Sequence, residues 1–320
     1  MKHKWTHLLE ASALPILLVL LVVGFSLWSV TSESFASTEN VRITLAAQSA
    51  LVVVAMATLV PLVCNEYDFS VGAIAGLGAV YAASAMAGGT SIPMALLIAI
   101  GVGLIVGVVN GFLVTVARVN SVIATLGTAT LIAGVVSWKS NGKAIVSGIP
   151  ASLTDFVTEP FLGVPKGFWV ALIVTVAVWY LLRQTPFGRY LDAIGDNPQA
   201  ARLLGANVSR RVLITYLLSG AIAGAAGMLL IGGAGTASPT LGPGYTLPAI
   251  AAAFLSVAAI QPGRFNVWGT LVAILFLGVL NSGLNLAGVE PYINNFANGC
   301  ALIIGVALAS LLGRGRAGSA

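Results

Sequence analysis

The sequence predicts an all-α polytopic membrane protein of about ten transmembrane helices with an inverted internal repeat. Three observations carry this. Hydrophobic residues fill 58% of the 320 positions and charged residues 8%, with a mean hydropathy of +0.99, where a soluble domain has about a quarter of its residues charged. Apolar runs of spanning length recur along the whole chain. Lysine and arginine fall singly between those runs, as topology markers do, and form no basic stripe of the kind nucleic acid would need.

A spanning helix needs about 20 mainly apolar residues, because backbone groups in lipid must be satisfied within the helix. On that rule the spans lie near 13–30, 43–63, 69–88, 92–117, 120–137, 167–182, 212–233, 246–260, 265–287 and 292–312, and residues 1–320 form a single transmembrane domain. Lys2 and Lys4 precede the first run and Ser34-Phe35-Ala36 resembles a cleavage site. The run is nevertheless longer than the roughly 7 to 15 apolar residues of a signal peptide, so it is expected to stay as a span.

Orientation follows from the basic residues. With a cytoplasmic N-terminus, the inner connections hold Lys2, Lys4, Arg118, Arg183, Arg189, Arg202, Arg210, Arg211, Arg264, Arg314 and Arg316, and the outer ones only Arg42, Lys139, Lys143 and Lys166. Both termini and the connection 183–211 are therefore expected in the cytoplasm.

The repeat rests on two alignments. FSVGAIAGLGAVYAA from Phe69 lies on YTLPAIAAAFLSVAA from Tyr245, and GVVNGFL from Gly107 on GVLNSGL from Gly278, at offsets of 176 and 171 residues. With ten spans the halves are inverted, an arrangement common in transporters, whose solute path lies near the bilayer midplane. Chance similarity between Ala- and Gly-rich helices is the competing explanation. Gly103, Gly107 and Gly111 stand four apart, as do Gly72 with Gly76 and Gly220 with Gly224, which suits close helix packing. No GxxxxGK[ST] occurs, so no ATP site is recognisable on this chain.

Polar groups inside spans are often functional, although an amide also serves as interhelical glue. Asn110 and Asn281, equivalent in the repeat, are candidates for the translocation pathway, with Asn285, Asn294 and Asn295 behind them. Amides would suit a hydroxyl-rich ligand. Asp68 precedes the third span and is expected to cap it, or to line a path as well. Enzyme chemistry finds little support. His3 and His7 come without an HExxH, no acidic pair sits inside a span, and Cys64 and Cys300 are too far apart to frame a metal site or a disulfide network. No catalytic residue, metal or cofactor on this chain is expected.

The connection 183–211 stands out. GRYLDAIGDNPQAARLLGANVSRR, Gly188 to Arg211, holds six of the 25 charged residues and no spanning run. Asn197 can cap a helix that begins at Pro198, and Gly205 can end it in the left-handed conformation. The helix would have about seven residues, too few to persist alone in water. Ala200 and Ala201, beside Leu203 and Leu204 and flanked by Arg202, would suit a docking knob for a partner, and self-packing would serve as well.

This segment resembles the cytoplasmic segment of the permease subunits of bacterial ABC importers of the ribose type. The resemblance continues through NEYDFSVGAIAGLGAV, GVVNGFLVTVARVNSVIATLGTATLIAGV, SPTLGPGYTLPAIAAAFL and GVLNSGLNLAGVEPY, covering most of the chain from about residue 40. It implies a subunit that does no chemistry itself and forms the pathway for a small polar solute, a monosaccharide above all, across the bacterial cytoplasmic (inner) membrane. It also implies its partners: an ATP-binding cassette subunit that binds the ATP and Mg, an external or periplasmic solute-binding protein, a second permease copy in a homodimer or heterodimer, and membrane lipid. Asp196, Asn197, Pro198, Ala200, Ala201, Arg202, Leu204 and Gly205 would then belong to the coupling segment on the ATPase. The alternative is an autonomous carrier or membrane enzyme whose loop packs on its own helices. One departure stands out: after the eighth span the family has a glycine-rich stretch of the type GG-small-S-x-x-GG-x-G, whereas this chain has SVAAIQPGRFNVWG, Ser256 to Gly269, which keeps Gly263 and Gly269 without the double glycines.

Overall fold

A computed structural model describes the backbone of residues 2–290 and 292–317 and the side chains of residues 11–290, 292–304 and 307. The N-terminal half runs α1 (Lys2–Leu27), a one-turn α2 (Ser32–Phe35), α3 (Thr38–Leu62), α4 (Val71–Ala87), α5 (Ile92–Thr115) and α6 (Ser121–Ser140). Then come α7 (Ala151–Thr158), a hairpin of β1 (Pro160–Phe161) and β2 (Val164–Pro165), and α8 (Lys166–Gln184). The second half holds α9 (Pro186–Asp196), α10 (Pro198–Leu203), α11 (Val208–Ala234), α12 (Thr246–Leu255), α13 (Val267–Leu286) and α14 (Tyr292–Ala317). In the hairpin Pro160 opposes Pro165 and Phe161 opposes Val164.

Among the described residues six helices, α3, α5, α6, α8, α11 and α13, are long and apolar enough to cross a membrane, and Ala11–Leu27, α4 and Pro243–Ala258 are shorter apolar helices. The eighth expected span, 246–260, differs most from a simple crossing. It is ten α-helical residues between 3-10 turns at Pro243–Tyr245 and Ser256–Ala258. At 1.5 Å per residue α12 rises about 15 Å, half of a roughly 30 Å hydrocarbon core. The side chains of Lys2, Lys4, Arg314 and Arg316, counted in the orientation, lie outside the described residues, as do those of 305, 306 and 308–312 in the tenth expected span.

Helix α3 is the centre of the bundle. Every residue from Ser49 to Leu62 is buried, and the helix packs on α8, α11, α12 and α13. Helix α11 in turn packs on α3, α4 and α5. The two halves thus exchange partners, α3 sitting among helices of the second half and α11 among helices of the first, a pairing suggestive of internal symmetry.

The predicted glycine rows are where this exchange is made. A methyl group at Gly103 would overlap the Gly220 carbonyl, one at Gly220 the Gly103 carbonyl, and one at Gly224 the Ala99 carbonyl. Helices α5 and α11 therefore meet backbone to backbone, a separation that small residues alone permit. Gly72 and Gly76 face Gly242, in the connection from α11 to α12.

Candidate functional site

The connection from α8 to α11 is two helices rather than the single one the sequence predicts. Thr185 starts α9 by accepting the Gly188 amide proton on Oγ1 at 3.4 Å, with Pro186 in the first turn. Gly188, Leu191 and Ile194 recur every three residues and are buried. Gly188 abuts the Leu182 carbonyl and Gly195 the Val63 carbonyl so closely that neither position has room for a side chain.

Polar contacts tie the same helix to its surroundings. Asp192 lies 3.6 Å from Arg183, and Asp196 lies 3.6 Å from Arg264 in the α12–α13 turn. Arg183 also donates to Gln261 Oε1. Asn65 Nδ2 donates to the Gly195 carbonyl at 2.6 Å, and the Arg211 guanidinium stands 3.5 Å from the centroid of the Tyr190 ring. Burial pushes the Asp192 carboxyl above its usual range, while Arg183 and then Arg264 pull it back down. These contacts gather Arg183, Arg211 and Arg264 at one end of the bundle, the end that the charge count assigns to the cytoplasm.

Helix α10 has the ends that the sequence predicts. Asn197 Oδ1 accepts the amide protons of Gln199 and Ala200, each at 3.0 Å, Pro198 is the first helical residue, and Gly205 has φ +85° just past the end. Its six residues are one fewer than expected. Of the predicted knob, Ala201 is buried in the core, while Ala200 and Arg202 are exposed. Leu203 is 90% and Leu204 82% exposed, so a pair of leucines stands free on a base fixed to α8, the end of α3 and the α12–α13 turn. Asp196 is exposed too, its carboxylate turned toward Arg264.

The departing turn between α12 and α13 lies beside this base. Asn266 organises it: Nδ2 donates to the carbonyls of Ser256 (2.7 Å), Ala259 (2.9 Å) and Arg264 (3.2 Å), and Oδ1 caps α13 through the Gly269 amide at 2.7 Å. Ile260 holds φ +60° and Gly263 φ +81°. A left-handed conformation at a β-branched residue is unusual and costs energy. The turn therefore keeps a left-handed path without the double glycines.

The predicted intramembrane polar residues fall into separate places. Asp68, Ser70, Asn110 and Ser219 form one buried network. Asp68 Oδ1 accepts from the Ser70 amide (3.0 Å) and hydroxyl (2.5 Å), Asp68 Oδ2 from the Ser219 hydroxyl (2.9 Å), and Asn110 Nδ2 donates to Ser70 Oγ (2.9 Å). Asp68 thus engages the residue that opens α4 and ties α4, α5 and α11 together. Asn110 Oδ1 and Asn281 Oδ1 are buried without a partner among the described residues. Asn294 Nδ2 donates to Asn285 Oδ1 at 2.8 Å, in an exposed pair. The repeat-related Asn110 and Asn281 sit in unlike surroundings. Sequence reasoning missed α9, Asn266 and the Ile260 conformation. The N-cap residue Thr185 followed by Pro186 was the available signal for α9.

A bundle of long apolar helices joined by a capped, braced helix pair with a free apolar tip has the form of a multi-pass membrane protein. The family model described as "branched-chain amino acid transport system / permease component" matches residues 40–309, and the chain belongs to that family. Among its relatives, the ribose import permease protein RbsC of Escherichia coli (strain K12) is 34% identical over 303 residues, 93% of each chain. RbsC of Haemophilus influenzae is 30% identical over 92% of each chain. The autoinducer 2 import system permease protein LsrC of Photorhabdus laumondii is 31% identical over 89% of this chain and 86% of its own. In fold the chain is similar to a solved structure described as a metal-chelate-type ABC transporter in an inward-facing conformation, with TM-score 0.53, 15% identity and coverage of 95% of this chain and 97% of that one. The protein is a membrane permease component of an ABC-type importer for a small solute.

Proposed function

We propose that this permease carries a monosaccharide inward as one half of a permease dimer, driven by a separate ATPase that grips residues 196–205. The observation that carries the reading is the contrast within the α8–α11 connection. Its base is fixed to α8, to the Val63–Asn65 end of α3 and to the α12–α13 turn, while Leu203 and Leu204 are left exposed. Two bare leucines cost free energy in water, roughly 25 cal/mol per Å² of apolar surface, which an apolar socket on a partner recovers.

The geometry also provides a way to transmit force. ATP and Mg bind the partner, whose closure displaces the seated tip. Because α9 has no slack against Leu182 and Val63, the displacement passes to the ends of α8 and α3. Asp196, Asn197, Pro198, Ala200, Ala201, Arg202, Leu204 and Gly205 make up the segment, with Asn197 and Gly205 fixing its ends and Ala201 its base.

For the substrate, support comes from the ribose-import relatives and from the amides at Asn110, Asn281, Asn285 and Asn294, generic partners for hydroxyls. The altered turn at 256–269 supports pairing with a non-identical permease, since it borders the docking base and departs from the family pattern. A purified, transport-active complex with a single permease species would refute that pairing.

The deciding experiment is ATP-dependent uptake of labelled monosaccharides into vesicles holding the permease, its ATPase and its binding protein, compared with Gly205→Pro. Proline fixes φ near −65° and cannot take the +85° that ends α10. One sugar taken up by the wild type and not by the variant is the expected result. Uptake that persists without the ATPase would establish an autonomous carrier instead.

A further inference from the structure

At the end of the bundle opposite α10, a cleft of ≈ 520 Å³ opens between the first turns of α3 and the last turns of α11. Its floor includes Ala50, Leu229 and Leu230, and its wall includes Glu39, Arg42 and Tyr245. Glu39, Arg42 and Ala50 fall on one face of α3, at steps of three and eight residues, so the polar wall and the apolar floor are successive turns of one helix. None of Asp68, Asn110, Asn281, Asn285 and Asn294 lines it.

Of the polar groups along this wall, Glu39 is exposed, and Arg42 and Tyr245 each keep a polar atom without a protein partner among the described residues. Arg42 Nε is buried and has no hydrogen-bond partner, and no ion pair joins Arg42 to Glu39 one turn away, among the described residues. The Tyr245 hydroxyl likewise makes no hydrogen bond to a described residue, although the ring is half-buried. A buried guanidinium nitrogen left without a partner, next to a half-buried phenol and an apolar floor, is what a small-ligand cleft offers.

We propose that this cleft, contained within a single protomer, is an outward-facing binding site for a hydroxyl-rich small molecule with one apolar face, a sugar ring. The proposal rests on the monosaccharide reading for its choice of solute class. The wall carries one cation and one anion, so it offers no net charge to an ion. A hydroxyl both donates and accepts, so vicinal hydroxyls satisfy the guanidinium fork, the carboxylate and the phenol together. The C–H face of the ring then covers Ala50, Leu229 and Leu230. A permease dimer would present two such sites, one on each copy, where solute waits before it crosses.

The test is saturation-transfer NMR on the permease alone in phosphatidylglycerol nanodiscs, with D-ribose, D-galactose and L-leucine as probes and no ATPase present. The expected result is a sugar signal with no leucine signal, weakened about tenfold in affinity by Arg42→Ala, since a hydrogen bond to a charged group is lost. Tyr245→Phe should weaken it less, and Lys143→Ala, an exposed position outside the cleft, should leave it unchanged. If Arg42→Ala does not fold, Arg42→Lys keeps the charge, removes the fork and should still weaken the sugar. A leucine signal in place of sugar, a sugar signal indifferent to both Arg42 variants, or a phospholipid retained in native mass spectra by the wild type and lost from Arg42→Ala would overturn the site. ATP-driven sugar uptake without cleft binding refutes this site alone, and cleft binding without such uptake refutes the transport reading alone.

Discussion

Ile260 keeps φ +60° in the turn after α12, and the side chain of Asn266 holds the carbonyls around it. Replacing Ile260 by glycine should remove the backbone strain and raise stability by about 1 kcal/mol, read as a higher melting temperature in detergent. Asn266→Ala should do the reverse. It strips a helix cap and leaves buried carbonyls unpaired, at a cost of about 2 kcal/mol, and an unchanged melting temperature would show that the turn is held by something else. Asp192 supplies a pH test. Its carboxyl is raised above the unfolded value, chiefly by burial, so the folded state binds more protons. The contribution is present in full below the unfolded value and is lost as pH rises through the raised one. The wild-type melting temperature should therefore fall over that acidic interval relative to Asp192→Asn, which lacks the titrating group.

Among elements, α10 and the α5–α11 contact make opposite demands. Leu204→Asp on the free tip should leave the purified permease as stable as the wild type, because 82% of the side chain is exposed, yet abolish ATPase stimulation and co-purification. If co-purification is unaffected, the leucine pair is not the docking surface. Gly103→Val should do the opposite and disrupt folding by about 3 kcal/mol or more, since the added carbons meet the backbone of α11, which has no rotamer with which to yield. The sequence showed both features for identifiable reasons. Asn197-Pro198 and Gly205 are local chemistry, and glycines four apart mark a close face whatever it packs against. Helix α9 was less legible because its burial pattern is set by Leu182 and Val63, residues outside it.

For the whole molecule, the prediction concerns sidedness. Contacts among residues 65, 183, 192, 195, 196, 261 and 264 gather the α10 base at one end. The 39–42 cleft, the Ile145–Ala237 bridge and Lys139, 5.6 Å from the Tyr81 ring centroid, mark the other. A cysteine at Leu203 should react with a membrane-impermeant thiol reagent only in inside-out vesicles, and one at Lys143 only in right-side-out cells, on a background with Cys64 and Cys300 removed. The reverse pattern would invert the topology and place the cleft in the cytoplasm.

The sequence by itself determined the membrane class, the order of the apolar helices, the two ends of α10 and the glycine faces. Each follows from composition or from chemistry within a few residues, where hydropathy, caps and φ preferences act. Tertiary structure alone decided that α12 is a half-length helix, that α3 is the buried centre, that Asp68 and Asn110 belong to one buried network while Asn285 and Asn294 form another pair, and that Glu39, Arg42 and Tyr245 share a cleft. Those outcomes depend on which distant backbones come together. Tyr245 lies more than 200 residues from Arg42, and nothing local to either position encodes the approach that makes them neighbours.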